Sequence, residues 1–301
     1  LTPIECHDII CKIGDVVVVG GVRRSACLSL SDLDDAEMRA AKSGTWYQTQ
    51  AHRMLANNSV AYKGKPTVGT FMEEWNALYK SKSGERGIFN REAAIKQVMR
   101  NERREVYMAD GSPIQFGVNP CVEILMRPKG LCNLSEVVAR VDDTEKTLLA
   151  KVRKAVALGS MQSALTKFKY LRKIWQKNAE EERLLGVSIT GIADCPLLNT
   201  STLQTEQLLS RLQKEAIKEA TVWSSKLNIN LSAAITCVKP SGTVSQLVGA
   251  SSGIHNQHSA YYIRRVRNDQ KDPVTRFLVA NGFPHEDCVF KPNDKIGRAH
   301  V

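Results

Sequence analysis

A thiol and a carboxylate two residues apart, Cys121 and Glu123, lie within Gly117-Val118-Asn119-Pro120-Cys121-Val122-Glu123-Ile124, with the amide of Asn119 two residues before the thiol. In an extended segment alternate side chains point the same way, which predicts Asn119, Cys121 and Glu123 on one face. That face would offer a hydrogen-bonding amide, a sulfur suited to radical or nucleophilic chemistry, and a carboxylate able to accept a proton. The competing reading of an isolated Cys-x-Glu is a cysteine that fills a core. A second thiol, Cys132, follows in Gly130-Leu131-Cys132-Asn133-Leu134-Ser135-Glu136.

The other stretch with chemical content begins at Ala233. Ala233-Ala234-Ile235-Thr236-Cys237-Val238 reads as a strand, and Lys239-Pro240-Ser241-Gly242-Thr243-Val244-Ser245 as the turn that leaves it. A small-residue turn that opens a helix gathers backbone N–H groups and hydroxyls around one point, where a phosphate can sit. It is not a Walker loop, because the Gly-Lys-Ser/Thr ending is missing, and no G-x-G-x-x-G follows the apolar run at residues 15–21. An ordinary Pro-Gly turn is the alternative. His255 and His258 sit in a polar loop with no third ligand at metal spacing and read as solvent-facing or hydrogen-bonded.

Positioning these groups requires strands and helices in alternation. The patterns predict helices over residues 4–13, with Gly14 as the stop, and over 32–41, 71–82 with Thr70 and Glu73 as a capping box, 91–103 capped by Asn90, 144–160 and 203–227. A further helix is predicted from Asp272-Pro273 to Gly282. Strands are predicted at 15–21, 26–30, 55–62, 186–192 and 233–238. The fold class is α/β.

Composition sets the outer bounds. The 301 residues carry 42 basic and 31 acidic side chains, a formal charge of +11, which fits an anionic partner such as a phosphorylated substrate or nucleic acid. Eight cysteines without any Cys-x-x-Cys argue against a zinc site or a dense disulfide framework. With no apolar run of membrane-spanning length and no secretory signal, a cytoplasmic setting without membrane association is expected. The chain starts at Leu1 without a Met, and residues 296–301 read as a translated sequencing adapter. The expectation is therefore an internal fragment with one domain over 1–295 and a non-native tail over 296–301.

Asn119-Pro120-Cys121-Val122-Glu123, the cysteine eleven residues on and Lys239-Pro240-Ser241-Gly242-Thr243, taken in that order, resemble the catalytic subunit of ribonucleotide reductase. The resemblance is nearest to the adenosylcobalamin-dependent (class II) ribonucleoside-triphosphate reductases. It is supported by Val19-Gly20-Gly21-Val22-Arg23-Arg24-Ser25-Ala26, Leu55-Ala56-Asn57-Asn58-Ser59-Val60, Gly186-Val187-Ser188-Ile189-Thr190-Gly191-Ile192-Ala193-Asp194 and Ser251-Ser252-Gly253-Ile254-His255 with Tyr261-Tyr262-Ile263-Arg264. It implies part of a ten-stranded α/β barrel with a central finger loop near 117–132.

The resemblance also implies roles. Cys121 would be the thiyl that removes the ribose 3′-hydrogen, Glu123 the acceptor of the 3′-hydroxyl proton, Asn119 the group that orients the hydroxyls, and Cys132 one of two reducing cysteines. Pro240, Ser241, Gly242, Thr243 and Ser245 would hold the substrate phosphates. The implied cofactor is adenosylcobalamin. The implied partners are a ribonucleoside triphosphate or diphosphate, a thioredoxin-like reductant and a deoxynucleotide effector, with no nucleic acid. The second reducing cysteine and the electron-relaying C-terminal pair belong outside these residues, so the chain by itself is expected not to turn over. A class I large subunit and a basic nucleic-acid-binding module are the alternatives.

Overall fold

A computed structural model describes residues 1–16, 26–100, 103–108, 110–256, 258–259, 261–288 and 294–300. In chain order the elements are α1 (Pro3–Val16), β1 (Cys27–Ser31), α2 (Ala36–Ala40), α3 (Trp46–Thr49), β2 (Ala56–Tyr62), α4 (Val68–Ser81), β3 (Gly87–Asn90), α5 (Arg91–Met99), β4 (Gly117–Val118), β5 (Leu125–Met126), β6 (Asn133–Val138), α6 (Glu145–Ser163), α7 (Lys173–Glu182), β7 (Leu185–Thr190), α8 (Leu203–Leu227), α9 (Thr243–Leu247), β8 (Ile263–Asp269), α10 (Pro273–Ala280), β9 (His285–Asp287) and β10 (Asp294–His300).

Two parallel sheets frame the molecule. The first runs β1-β2-β3, with Cys27 opposite Ala56 and Ser59 opposite Gly87. The second pairs β6 with β7, Asn133 opposite Leu185. The short antiparallel pair β4–β5 lies between them in sequence, and a separate antiparallel sheet of order β8-β10-β9 ends the chain. This is a mixed α/β fold, and among the described residues the two parallel sheets do not close into a barrel. Residues 296–300, read as a non-native tail, pair in β10 with β8.

The largest core lies under β6 and β7. Leu148, Val152, Ala155 and Val156 of α6 meet Leu208, Leu212, Ala216 and Ala220 of α8, and both rows cover Val137, Leu185, Val187 and Ile235. The four-residue spacing along α8 is the apolar stripe of an amphipathic helix. Thr144 and Thr147 cap α6 reciprocally, and Thr202 caps α8 by accepting from the Thr205 N–H. A second core joins Ala61, Phe89, Ala94, Val98, Ile114 and Phe116 beside the first sheet.

Several sequence boundaries move. The first helix continues through Gly14 to Val16, so Asp15 and Val16 close a helix instead of opening a strand, and the rest of that strand assignment, with the Arg-Arg-Ser stretch, lies outside the described residues. The helix predicted over 32–41 contracts to α2, because Asp35 caps it by accepting from the Met38 N–H. Helix α4 begins before Thr70: Thr67 accepts from the Thr70 N–H at 3.2 Å and so takes the capping role assigned to Thr70 and Glu73. Helix α5 stops at Met99, and α6 runs past Gly159, which lies against Leu185, to Ser163. The strand predicted at 233–238 is reduced to one bridge, Thr236 to Val187. Its carbonyls Ala234 and Ile235, consecutive in the chain, accept from Leu185 and Val187, which are two apart, so the ladder slips by a residue and does not propagate.

A buried charge cluster ties α4 to the first sheet. Arg86 donates to both carboxylate oxygens of Glu74, at 2.9 and 2.7 Å, and to the Ser31 hydroxyl and the Asp32 carbonyl, while Arg39 also pairs with Glu74. Arg86 and Glu74 are both buried. Removing one partner leaves an uncompensated buried charge, so Glu74→Ala is expected to destabilise the protein by about 3 kcal/mol in urea denaturation. A loss within experimental error of zero would show that the cluster carries no net stability.

Candidate active site

The Cys-x-Glu motif forms a hairpin tip. Gly117 pairs with Met126 and Val118 with Leu125, which leaves residues 119–124 as the connection. The Val122 N–H donates to the Asn119 carbonyl at 2.9 Å, and the Ile124 N–H to Asn119 Oδ1 at 3.0 Å. Asn119 is thus the residue around which the tip closes. Val122 has φ of +66°, a left-handed conformation that a β-branched residue seldom adopts. That turn ends the extended run, so Asn119, Cys121 and Glu123 do not share one strand face as the period-two reading required. The tip presents Cys121 partly exposed beside an exposed Val122.

The base of the hairpin is clamped from below. Arg104, nearly enclosed, donates from Nε to Glu182 Oε1 at 2.9 Å and from Nη1 to the Leu125 carbonyl at 2.8 Å, with its guanidinium 5.1 Å from the centre of the Phe116 ring. Asn178 donates to the Pro128 carbonyl and Arg127 to the Asn178 carbonyl. Three contacts to α7, one of them the buried Arg104–Glu182 charge pair, therefore hold the base of the hairpin.

Above β7 the hairpin rests on a glycine. A Cβ at Gly186 would lie 2.4 Å from Leu134 Cδ2, 3.0 Å from Ile124 Cδ1 and 3.2 Å from Cys237 Sγ. Ile124 packs there with Leu184 and Ala233, and Met126, Cys132 and Cys237 border the same cluster. Burial pushes the Cys132 thiol up, and the negative charge of Glu123 pushes it further. Burial likewise takes Cys237 up to about 12, helped by Glu123, Cys132 and Glu136 against the opposing Lys239. Both thiols remain protonated near neutral pH. Glu123 Oε2 is buried and meets no hydrogen-bond donor among the described residues. A cavity of about 740 Å³ opens beside Glu123, with Arg100, Arg103, Arg104, Gln213 and Thr236 among its walls.

The turn at 239–245 is held from its buried side. Ser241 donates to Glu136 Oε2 at 2.7 Å and accepts from the Ser245 N–H at 3.1 Å, and the Ser245 hydroxyl donates to the Gly242 carbonyl at 2.8 Å. Lys239 pairs with the other oxygen of Glu136. Both serine hydroxyls are engaged inside the turn. Pro240 and Gly242 face outward, and nothing lies within 4 Å of a Cβ built at Gly242. Thr243 begins α9. Gly253, at φ of +51°, presses against the Lys239 carbonyl, and the Ser241 N–H donates to the Ser252 hydroxyl.

The structure thus collects Glu123, Cys132 and Cys237 in one region at the foot of the hairpin tip that carries Cys121, while the serines of the turn support its backbone. Sequence reading passed over Glu136, Gly186, Cys237 and Arg104. Counting by two from Cys132, just before β6, reaches Leu134 and Glu136, a signal that was available for Glu136. No such signal existed for Arg104, whose partners lie 21 and 78 residues away. His255 and His258 join no group of three or more His, Cys, Asp or Glu placed to hold a metal ion among the described residues.

No family model matches the chain. Two adenosylcobalamin-dependent ribonucleoside-triphosphate reductases are similar over almost all of it: that of Lactobacillus delbrueckii subsp. bulgaricus is 30% identical over 325 residues, covering 97% of this chain and 42% of the relative, and that of Lacticaseibacillus paracasei is 32% identical over 323 residues, covering 96% and 41%. A crystal structure of a B-12 dependent (class II) ribonucleotide reductase superposes with a TM-score of 0.69 at 26% identity, covering 100% of this chain and 43% of that one. The chain is homologous to the adenosylcobalamin-dependent class II ribonucleotide reductases. It spans less than half the length of those relatives. The Actinobacillus ureae class Id ribonucleotide reductase alpha subunit shares the fold, with a TM-score of 0.62 at 15% identity over 93% of this chain and 56% of that one.

Two outcomes follow from this geometry. Gly186→Ala would drive a methyl into Leu134 and Ile124, and overpacking of this kind costs about 1–3 kcal/mol, measurable by denaturant unfolding; an unchanged midpoint would mean that the hairpin does not rest there. Alkylation requires the thiolate, and a raised pKa leaves less of it at a given pH. Iodoacetamide should therefore modify exposed Cys6 readily at pH 8 and Cys237 slowly, the Cys237 rate rising about tenfold per pH unit until its pKa is approached. Peptide mass spectrometry reads both rates, and equal rates at pH 8 would contradict the enclosure of Cys237.

Proposed function

We propose that this chain is the radical-bearing part of a ribonucleotide reductase that converts ribonucleoside triphosphates to 2′-deoxyribonucleotides, and that its two parallel sheets contribute to the family's ten-stranded barrel. The observation that carries the reading is the convergence of Glu123 and the protonated thiol of Cys132 at the foot of the hairpin tip that presents Cys121. The homologous reductases supply the reaction class.

In this reading Cys121, as a thiyl, takes the 3′-hydrogen of the ribose and later returns it. Glu123 accepts the 3′-hydroxyl proton, a role that suits a buried carboxylate oxygen still open to a donor. Asn119 keeps the tip in register and presents its amide toward the hydroxyls. The 2′-hydroxyl leaves as water while Cys132 and a second thiol are oxidised to a disulfide, which supplies the two electrons. A thioredoxin-like protein then restores the thiols. Thiols held protonated suit transfer of hydrogen with its electron better than nucleophilic attack. The phosphates rest on the turn at Pro240, Gly242 and Thr243, with Ser241 and Ser245 bracing it from within.

Adenosylcobalamin, when bound, supplies the initiating radical. The partly exposed Cys121 and the exposed Val122 leave the tip open to a bulky group, and these are the residues that would face it. In the full-length protein, Cys121→Ser is expected to abolish deoxynucleotide formation while nucleotide binding persists; surviving turnover would remove Cys121 from the mechanism. Omitting adenosylcobalamin from the same assay separates the two reductase classes, since undiminished turnover would assign the protein to a class that generates its radical elsewhere.

A further inference from the structure

Glu136 lies in the middle of β6, 105 positions before the serine it holds, and both of its oxygens are engaged by the turn. One accepts the Ser241 hydroxyl at 2.7 Å and the other pairs with the Lys239 ammonium. Lys239 and Ser241 are buried, and the Glu136 side chain is 14% exposed. The bond to the carboxylate has a directional consequence. A serine hydroxyl has one proton. Once that proton points at Glu136, the lone pairs of Ser241 Oγ are fixed toward the Ser245 N–H, which donates to it at 3.1 Å. Glu136 thereby sets the rotor of Ser241, and Ser241 sets the first residues of α9.

The charge arrangement points the same way. Lys239 opens the turn, yet its ammonium is paired with Glu136 and also donates to the Pro240 carbonyl at 3.2 Å. It is held on the sheet side and adds little net charge on the side where Pro240 and Gly242 are exposed. We infer that Glu136 is a positioning residue for nucleotide phosphate: it shapes the 239–245 turn from behind through Ser241 and Lys239 and touches no substrate atom itself. This inference rests on the phosphate role proposed for the turn.

The test uses the full-length reductase. Glu136→Gln keeps one acceptor for Ser241 but leaves the Lys239 ammonium unpaired, and KM for the ribonucleoside triphosphate should rise about tenfold, the scale of one charged hydrogen bond, with kcat within about twofold. Should that variant fail to fold, the double variant Glu136→Leu/Lys239→Leu serves, because replacing a buried ion pair by apolar side chains is often neutral for stability. It offers Ser241 no carboxylate, and KM should again rise about tenfold, in line with the loss of that hydrogen bond. A purely structural role would lower the melting temperature and leave KM unmoved. An unchanged KM in a folded variant, or a fall in kcat alone, overturns the inference. Calorimetric titration with the triphosphate keeps the two readings apart: a wild-type protein that does not bind it removes the phosphate role and the inference with it, whereas equal binding by wild type and variant removes the positioning role of Glu136 alone.

Discussion

The site depends on how a six-residue hairpin tip is held in one conformation. A connection containing a β-branched residue at positive φ does not persist by local preference. Here Asn119 closes the tip from inside with its side-chain oxygen, and Arg104 fixes the base through the Leu125 carbonyl and Glu182. The two devices act on different parts of the hairpin. Asn119 decides the shape of the tip, and Arg104 decides where it stands relative to the second sheet. Cys121, carried on the tip, is placed by both.

The second sheet receives the hairpin only because it is uneven. Gly186 leaves a hollow into which Ile124 descends, and Cys237 Sγ borders the same hollow. The side chain missing at 186 is thus made up by Leu134, Ile124 and Cys237. Consistency of this kind, in which a locally poor choice is compensated by a neighbouring element, is what a functional site within an otherwise well-packed fold leads one to expect.

The alternation of helices and strands could be read from periodicity, and α8 lies where its four-residue stripe placed it because nothing in its interior competes with that signal. Capping was less legible. Thr67 and Thr70 both carry hydroxyls near the helix start, and Thr67 is the one that accepts from the backbone, at the Thr70 N–H. Within the site, Cys121, Glu123 and Cys132 were visible as residue types, but their arrangement was not. The extended-face reading failed because period two says nothing about a turn that puts a valine at positive φ. Arg104, Glu182 and Gly186 act through contacts far apart in sequence, and no local pattern marks them.

Electrostatics gives the arrangement its direction. The buried carboxylates Glu74 and Glu182 are matched by arginines, and Glu136 by a lysine, so each ties together elements that lie apart in the chain. Glu123 differs in its neighbours: like Glu182 it keeps one oxygen without a hydrogen bond among the described residues, but it is set among thiols. Burial keeps Cys132 and Cys237 in the thiol form, and the charge of Glu123 adds to that effect. A site built for a thiolate nucleophile would place a cation there to draw the proton off the sulfur. Here the neighbouring carboxylate has the opposite sign and acts in the same direction as burial, with Lys239 opposing the two at Cys237.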